Sequence, residues 1–270
     1  MVSLSNKIQD RLISGIKKFQ PVLTSAKSKD INESDTVVII TDMLSEIFGY
    51  DKYTEITTEH LIKKTYCDLA IRIDGKAKIL IEAKAIGLDL KNEHTKQAID
   101  YGANLGIDWV ILTNGYIWQI YKLMFSKPID KELIYEINFL NMNHKNKDDL
   151  ESLYFISKEG FSKSALVDYY AQKQALSRFF IGQIILSEPI LLAIKKELKK
   201  VSPGVKIEND IIKNVLLSEV LKREVLEGEK SDIARKKINK ILNSSVKRTN
   251  PTDISINDSP KIEINEENIV

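Results

Sequence analysis

Asp68, Glu82 and Lys84 combine two hard oxygen acceptors with a cation within one short stretch of the chain. Side chains alternate along a strand, so in Ile79-Leu80-Ile81-Glu82-Ala83-Lys84 the Glu and the Lys project from one face, about 7 Å apart. The rest of that segment is apolar enough to be buried, where a carboxylate and an ammonium are costly unless they pair or bind something. Two carboxylates converging on one point suit Mg²⁺, which prefers hard oxygen ligands. A neighbouring Lys can orient or deprotonate a water and hold a phosphate oxygen as negative charge develops. The same three residue types also occur as plain charge on solvated sheets, so spacing alone does not decide.

Geometry makes a checkable demand. KTYCDLAIRI, the pair Asp74-Gly75 and KAKILIEAKA read as a β-hairpin. A strict two-residue turn makes paired residue numbers sum to 149, sets Asp68 opposite Ile81 and leaves Glu82 on the wrong face. A longer loop or a bulge at Asp74 to Lys76 raises the sum to 150 and sets Asp68 across from Glu82. The shared site therefore predicts an irregularity there.

The elements around the hairpin follow from periodicity. Leu4, Ile8, Leu12, Ile13 and Ile16 predict a helix over residues 4 to 19, ended by Pro21. Asn32 is an N-cap for a second helix whose face holds Glu33, Val37, Ile40, Leu44 and Ile47, and which Gly49 stops. Tyr53 to Ile56 is strand-like. A third helix spans Asn92 to Leu105, followed by the strand WVILT, the turn Asn114-Gly115, a strand in YIWQIYKL and another in LIYEINFL. The expected fold class is α/β, a mixed sheet flanked by helices. Beyond the polar loop NMNHKNKDD, three apolar-periodic segments separated by Pro189 and by Pro203-Gly204 predict an added C-terminal helical subdomain, and from about Asn243 the text is that of a flexible tail. The expected organisation is an N-terminal helix and loop over 1–30, an α/β domain over 31–145, helices over 146–242 and an acidic tail over 243–270.

Composition narrows the classes of answer. With 270 residues, 43% hydrophobic, the chain can bury a core, and one Cys excludes an intramolecular disulfide. Cys67 with only His60, His94 and His144 makes no zinc set and reads as a small apolar filler. No apolar run is long enough to cross a membrane and the start lacks signal-peptide order, so a cytoplasmic protein is expected. The formal charge is +2, but Pro251 to Val270 carries Asp253, Asp258, Glu263, Glu266 and Glu267 against Lys261, which leaves +6 on the remainder. A moderately basic body suits a polyanionic partner. Lys63, Lys64, Arg72, Lys76 and Lys78 cluster along the hairpin and suit phosphate contacts as well as a charged solvated edge. Trp109 and Trp118 read as core or rim aromatics, and His94 as an ordinary helix position near the site.

The residues resemble a known family. Asp68, thirteen residues, then Glu82-Ala83-Lys84 resembles the core of the PD-(D/E)XK nuclease superfamily, with Cys67 where the motif's name expects Pro. Gln97-Ala98-Ile99-Asp100-Tyr101 resembles the QxxxY motif of its RecB-like and type I restriction branches; the two end residues share a helix face at i and i+4. Leu112-Thr113-Asn114-Gly115-Tyr116-Ile117-Trp118 is similar to the LTNG..W signature of the N-terminal nuclease domain of type I restriction enzyme R subunits, and Glu33 matches that family's helix glutamate. The likeness covers roughly residues 30 to 125.

The resemblance implies a restriction-endonuclease-like fold and a Mg²⁺-dependent DNA endonuclease, with Mn²⁺ as a substitute, in defence against foreign DNA. Asp68, Glu82 and the Ala83 carbonyl would hold the metal, Lys84 would position the water, and Glu33 would assist the metal or a second ion. Gln97 and Tyr101 would order the site or hold the DNA backbone, joined by Lys63 and Lys64. No GxxxxGK[ST] loop exists, so there is no ATP site of the translocase kind in this chain. The C-terminal helices would serve a homo-oligomer or other subunits. The rival reading is a non-catalytic nucleic-acid-binding or assembly module with a nuclease fold; only the enzyme requires Mg²⁺-dependent strand breaks.

Overall fold

In the computed structural model, residues 4–62, 65–125 and 129–246 are described. Six strands form one mixed sheet in sequential order: β1 (Ile56–Ile62), β2 (Thr65–Ile73), β3 (Lys76–Ala83), β4 (Trp109–Thr113), β5 (Ile117–Met124) and β6 (Asp130–Asn138). All neighbours are antiparallel except β3 and β4. That one parallel pair needs a crossover, supplied by α3 (Thr95–Leu105). Asp51 to Glu55 forms a turn, so the first strand starts at Ile56 rather than Tyr53. The Asp51 carboxylate accepts the N–H groups of Tyr53 and Thr54, which competes with extended pairing.

Alternation splits the sheet residues between two cores. Leu69, Ile71, Ile79, Ile81 and Ala83 pack with α1 (Asn6–Ser28) and α2 (Glu33–Glu46). Ala70, Leu80 and Leu112 pack with Ala98 and Tyr101 of α3. By the same alternation Glu82 lies on the face of Leu80.

α1 does not stop at Pro21 but runs through it to Ser28. A proline inside a helix forfeits a hydrogen bond and costs about 3 kcal/mol. Against that, Leu12, Ile16, Phe19, Leu23 and Ala26 form one continuous buried stripe on both sides of the proline. Several buried side chains at about 1.5–3 kcal/mol each outweigh the penalty. The α2 expectation holds at its start: Asn32 Oδ1 accepts the Asp35 N–H at 2.9 Å.

The hairpin turn is tight and the irregularity lies elsewhere. Asp74 (φ 51°) and Gly75 (φ 73°) are both left-handed, the requirement of a two-residue hairpin turn, and Ile73 pairs with Lys76. The register then shifts between Ile71 and Arg72: Arg72 pairs with Ala77, but Ile71 pairs with Ile79 and Leu69 with Ile81. Lys78 is the extra residue. The bulge that Asp68 and Glu82 require is thus present, inside the strands rather than at Asp74 to Lys76.

The chain divides into two compact units, Met1–Ala171 and Gln172–Val270. The polar loop at residues 141–149 falls inside the first. After it, α4 (Lys147–Phe155) contributes Leu150, Leu153, Tyr154 and Phe155 to the first unit's core, and α5 (Lys158–Ser162) packs Phe161 against it. α6 (Ala165–Ala175) follows them.

The second unit holds α7 (Arg178–Ile185), α8 (Glu188–Val201), α9 (Asn209–Val215), α10 (Arg223–Leu226) and α11 (Glu229–Val246). The first expected helix of this region is broken in two, because Ser177 accepts the Phe180 N–H and starts α7. Ser231 is buried, takes a hydrogen bond from Gln183 and donates to the Leu226 carbonyl. α11 continues past Asn243 to Val246, and the rest of the segment expected as a tail, residues 247–270, lies outside the described residues.

Candidate active site

The site forms where β2 and β3 run past the end of their pairing. Beyond Leu69↔Ile81 the next pair in register is Asp68 with Glu82, and Asp68 Oδ2 accepts the Ala83 N–H at 2.7 Å. Glu82 is 2% exposed. Its Oε1 accepts from Lys84 Nζ at 2.7 Å, while its Oε2 is buried without a hydrogen-bond partner. Lys84 also approaches Glu33 Oε2 at 3.5 Å, and its backbone N–H donates to the Thr113 carbonyl at 2.8 Å. The last contact extends the parallel β3–β4 ladder by one residue and so holds Lys84 against β4.

The electrostatics follow from burial and like charge. Burial raises the Glu82 pKa from its ordinary 4.5 to about 7; the Lys84 hydrogen bond opposes that shift and the Asp68 charge adds to it. Asp68 is also raised, by burial first, with the Ala83 N–H and the Lys84 charge pulling the other way. Burial alone would lower Lys84; the hydrogen bond to Glu82 and the charges of Glu82, Glu33 and Asp68 together outweigh it and raise its pKa. Lys84 is therefore an ammonium at neutral pH, the form that donates hydrogen bonds.

Not every expected residue converges. Glu33 is the first residue of α2, its side chain 47% exposed; it pairs with Lys84, and its charge also acts on Asp68 and Glu82. Among the described residues, no three His, Cys, Asp or Glu side chains cluster as a metal site. The oxygen set in reach of one ion is Asp68 and Glu82 with backbone carbonyl and water. The orphaned Glu82 Oε2 fits such an ion, because a bound cation would satisfy an acceptor that the protein leaves unpaired. Tyr101 is buried on α3, within the core on the Leu80 face. Gln97 lies on the same helix, while its side chain, like Lys63 and Lys64, falls outside the described residues. His94 Nδ1 accepts the Lys91 N–H at 3.1 Å just before α3. Cys67 is fully buried as a filler, its thiol pushed up to about 12 by burial.

The LTNG..W segment is a structural clamp behind the site. Asn114, 1% exposed, donates to the Leu88 carbonyl at 3.0 Å and accepts the Ile117 N–H at 2.9 Å. The fully buried Trp118 donates through Nε1 to the Gly115 carbonyl at 2.8 Å and meets Phe48 edge-on at 5.3 Å. Gly115 has φ 89°, a conformation that favours glycine. Asn114 thereby ties down the segment that follows Lys84. Sequence reasoning missed Lys131, which reaches from β6 to donate to Thr95 Oγ1 at the start of α3. No local pattern signals a contact between residues 36 positions apart. Arg72, Lys76 and Lys78 lie at the turn end of the hairpin, several residues away from Asp68 and Glu82 along β2 and β3.

No curated protein and no solved structure matches the chain. Among the described residues no helix is long and apolar enough to cross a membrane. A protein family does match over part of the chain: residues 39–137, which include Asp68, Glu82, Lys84 and Tyr101 but not Glu33, resemble the family described as type I restriction enzyme R protein N terminus.

Proposed function

We propose that the chain is a Mg²⁺-dependent endonuclease that hydrolyses DNA phosphodiester bonds in a restriction role. The observation that carries this reading is the buried, unpartnered Glu82 Oε2 beside Asp68, with Lys84 held on the other Glu82 oxygen. A desolvated acid kept at an energetic cost and aligned with a second acid is the signature of a binding site rather than of a stabilising ion pair. The family likeness supports DNA as the substrate class.

Asp68, Glu82 and the Ala83 carbonyl are the groups that would hold Mg²⁺, and Mn²⁺ in its place. Such an ion, when bound, would supply positive charge to a scissile phosphate and would lower the pKa of a coordinated water. The Ala83 N–H orients Asp68, so its carboxylate needs no reorganisation to bind. Lys84, as an ammonium, donates to a phosphate oxygen or to the attacking water and offsets charge in the transition state. Glu33 holds the Lys84 head group from the outer side. Tyr101 and Gln97, on α3, order the covering helix or hold the DNA backbone.

The test is nicking and linearisation of supercoiled plasmid, with Mg²⁺ or with chelator. Wild type should break strands only with the metal, and Asp68→Ala, Glu82→Ala and Lys84→Ala should each lose about 10²-fold or more of the rate. A wild-type protein that shifts DNA on a gel but makes no breaks with Mg²⁺ or Mn²⁺ would be a non-catalytic binding module.

A further inference from the structure

A second set of cations lies at the turn end of β3, where the cleavage centre does not reach. Arg72, Lys76 and Lys78 line one cleft of about 640 Å³. Lys78 and Lys76 precede Glu82 by four and six residues, about 13 and 20 Å along a strand. The bulge at Lys78 interrupts the alternation there.

Among the described residues none of the three cations has a carboxylate partner. The Arg72 guanidinium donates to the Gly75 carbonyl, at 2.8 Å. The one acid in the lining, Asp108, is taken by Lys122, whose ammonium also sits 4.7 Å from the centre of the Trp109 ring. Asp74, at the turn, is not part of the lining. Like charges on adjacent strands repel, so this arrangement is disfavoured in isolation and relieved by an anion. The apolar part of the lining comes from both sides of the sheet, Leu105 and Ile107 from the α3 side and Phe161 from the side of α1 and α2, with Leu105 43% exposed.

We propose that this cleft binds a nucleoside diphosphate, its phosphates held by Arg72, Lys76 and Lys78 and its nucleoside against Leu105 and Phe161. A simple inorganic anion would use the cations and leave the apolar wall wet. A DNA duplex would use its backbone phosphates on the cations and likewise leave the apolar lining wet. The combination of several phosphate-binding cations with an apolar wall is what a ligand half phosphate and half ring system requires.

Isothermal titration of the full chain in metal-free buffer tests this with three titrants: ADP, inorganic pyrophosphate and a short DNA duplex. ADP should bind roughly tenfold tighter than pyrophosphate, because the apolar wall adds contacts worth more than about 1 kcal/mol. Arg72→Ala with Lys78→Ala should weaken ADP by roughly tenfold or more, through loss of two charge-assisted contacts. Leu105→Ala should erase the ADP advantage while pyrophosphate binding stays, and Glu82→Ala should bind ADP as wild type does. Absence of ADP binding would overturn the proposal. So would equal affinity for ADP and pyrophosphate, duplex binding that depends on Arg72 and Lys78 without ADP binding, or ADP binding lost in Glu82→Ala. Circular dichroism of each variant confirms that the fold is kept. The plasmid assay is separate, so loss of the nuclease reading leaves these outcomes intact.

Discussion

Glu82→Gln should stabilise the metal-free protein at pH 8, although it removes a charge that sits in an ion pair. The folded-state pKa of Glu82 is raised from 4.5 to about 7. Between those values the folded state binds more protons than the unfolded chain, so stability falls as pH rises through the window and levels off above it. A shift of this size corresponds to about 3 kcal/mol at pH 8. Gln keeps an oxygen for Lys84 but places its amide where Glu82 Oε2 has no partner. That unpaired N–H group costs about 1 kcal/mol, leaving a net gain of about 2 kcal/mol.

Urea unfolding in chelator at pH 5.5 and pH 8, followed by tryptophan fluorescence, is the assay. Both tryptophans, Trp109 and Trp118, are buried in the unit that holds Glu82. The variant's urea midpoint should exceed wild type by on the order of 1 M at pH 8. At pH 5.5 the gain should shrink or reverse. Asp51 and Glu159 are shifted downward, so their transitions lie below this window. A variant less stable than wild type at pH 8, or a difference that does not change with pH, would refute the argument that Glu82 is a desolvated acid held for function.

Other expectations follow from the same geometry. Mg²⁺ should raise the stability of wild type at pH 8 but not of Glu82→Gln, and the metal's apparent affinity should fall as pH drops below about 7, because proton and metal compete for Glu82; flat calorimetric titrations across pH would count against this. Asn114→Ala leaves the Leu88 carbonyl and the Ile117 N–H without their partner, and should cost about 2–3 kcal/mol in urea unfolding. Leu12→Ala and Ile16→Ala, both fully buried, should each cost about 2–5 kcal/mol by the same measurement, since both sit inside the first unit's main core. Pro21→Ala should raise stability, by up to about 3 kcal/mol, because the helix already runs through that position; a loss would show that the proline is needed where it stands.

Much of the fold was legible because local rules govern it. Period-two alternation marks β2 and β3, Asp74-Gly75 marks the hairpin turn, Asn32 marks the start of α2, and Asn114-Gly115 separates β4 from β5. The errors arise where tertiary packing overrides a local signal. Pro21 is a breaker in isolation, yet a stripe buried on both sides of it carries the helix on to Ser28. Ser177 divides one long apolar-periodic segment into two helices, since periodicity locates faces better than ends. The lysines of the hairpin share a sequence neighbourhood with the acids, but strand length separates them in space.

By itself the sequence determined which residues could do the chemistry: Asp68, Glu82 and Lys84 have the right types, and the parity of a strand requires Glu82 and Lys84 to share a face. Only the tertiary structure decided that Asp68 joins them, through a bulge at Lys78 that no residue pattern announces. Tertiary structure likewise brought Glu33 to Lys84, and set the charge states, raising Glu82 and keeping Lys84 protonated. The reason is physical: residue type and alternation are properties of the covalent chain, whereas register, desolvation and the approach of distant charges depend on what packs around them.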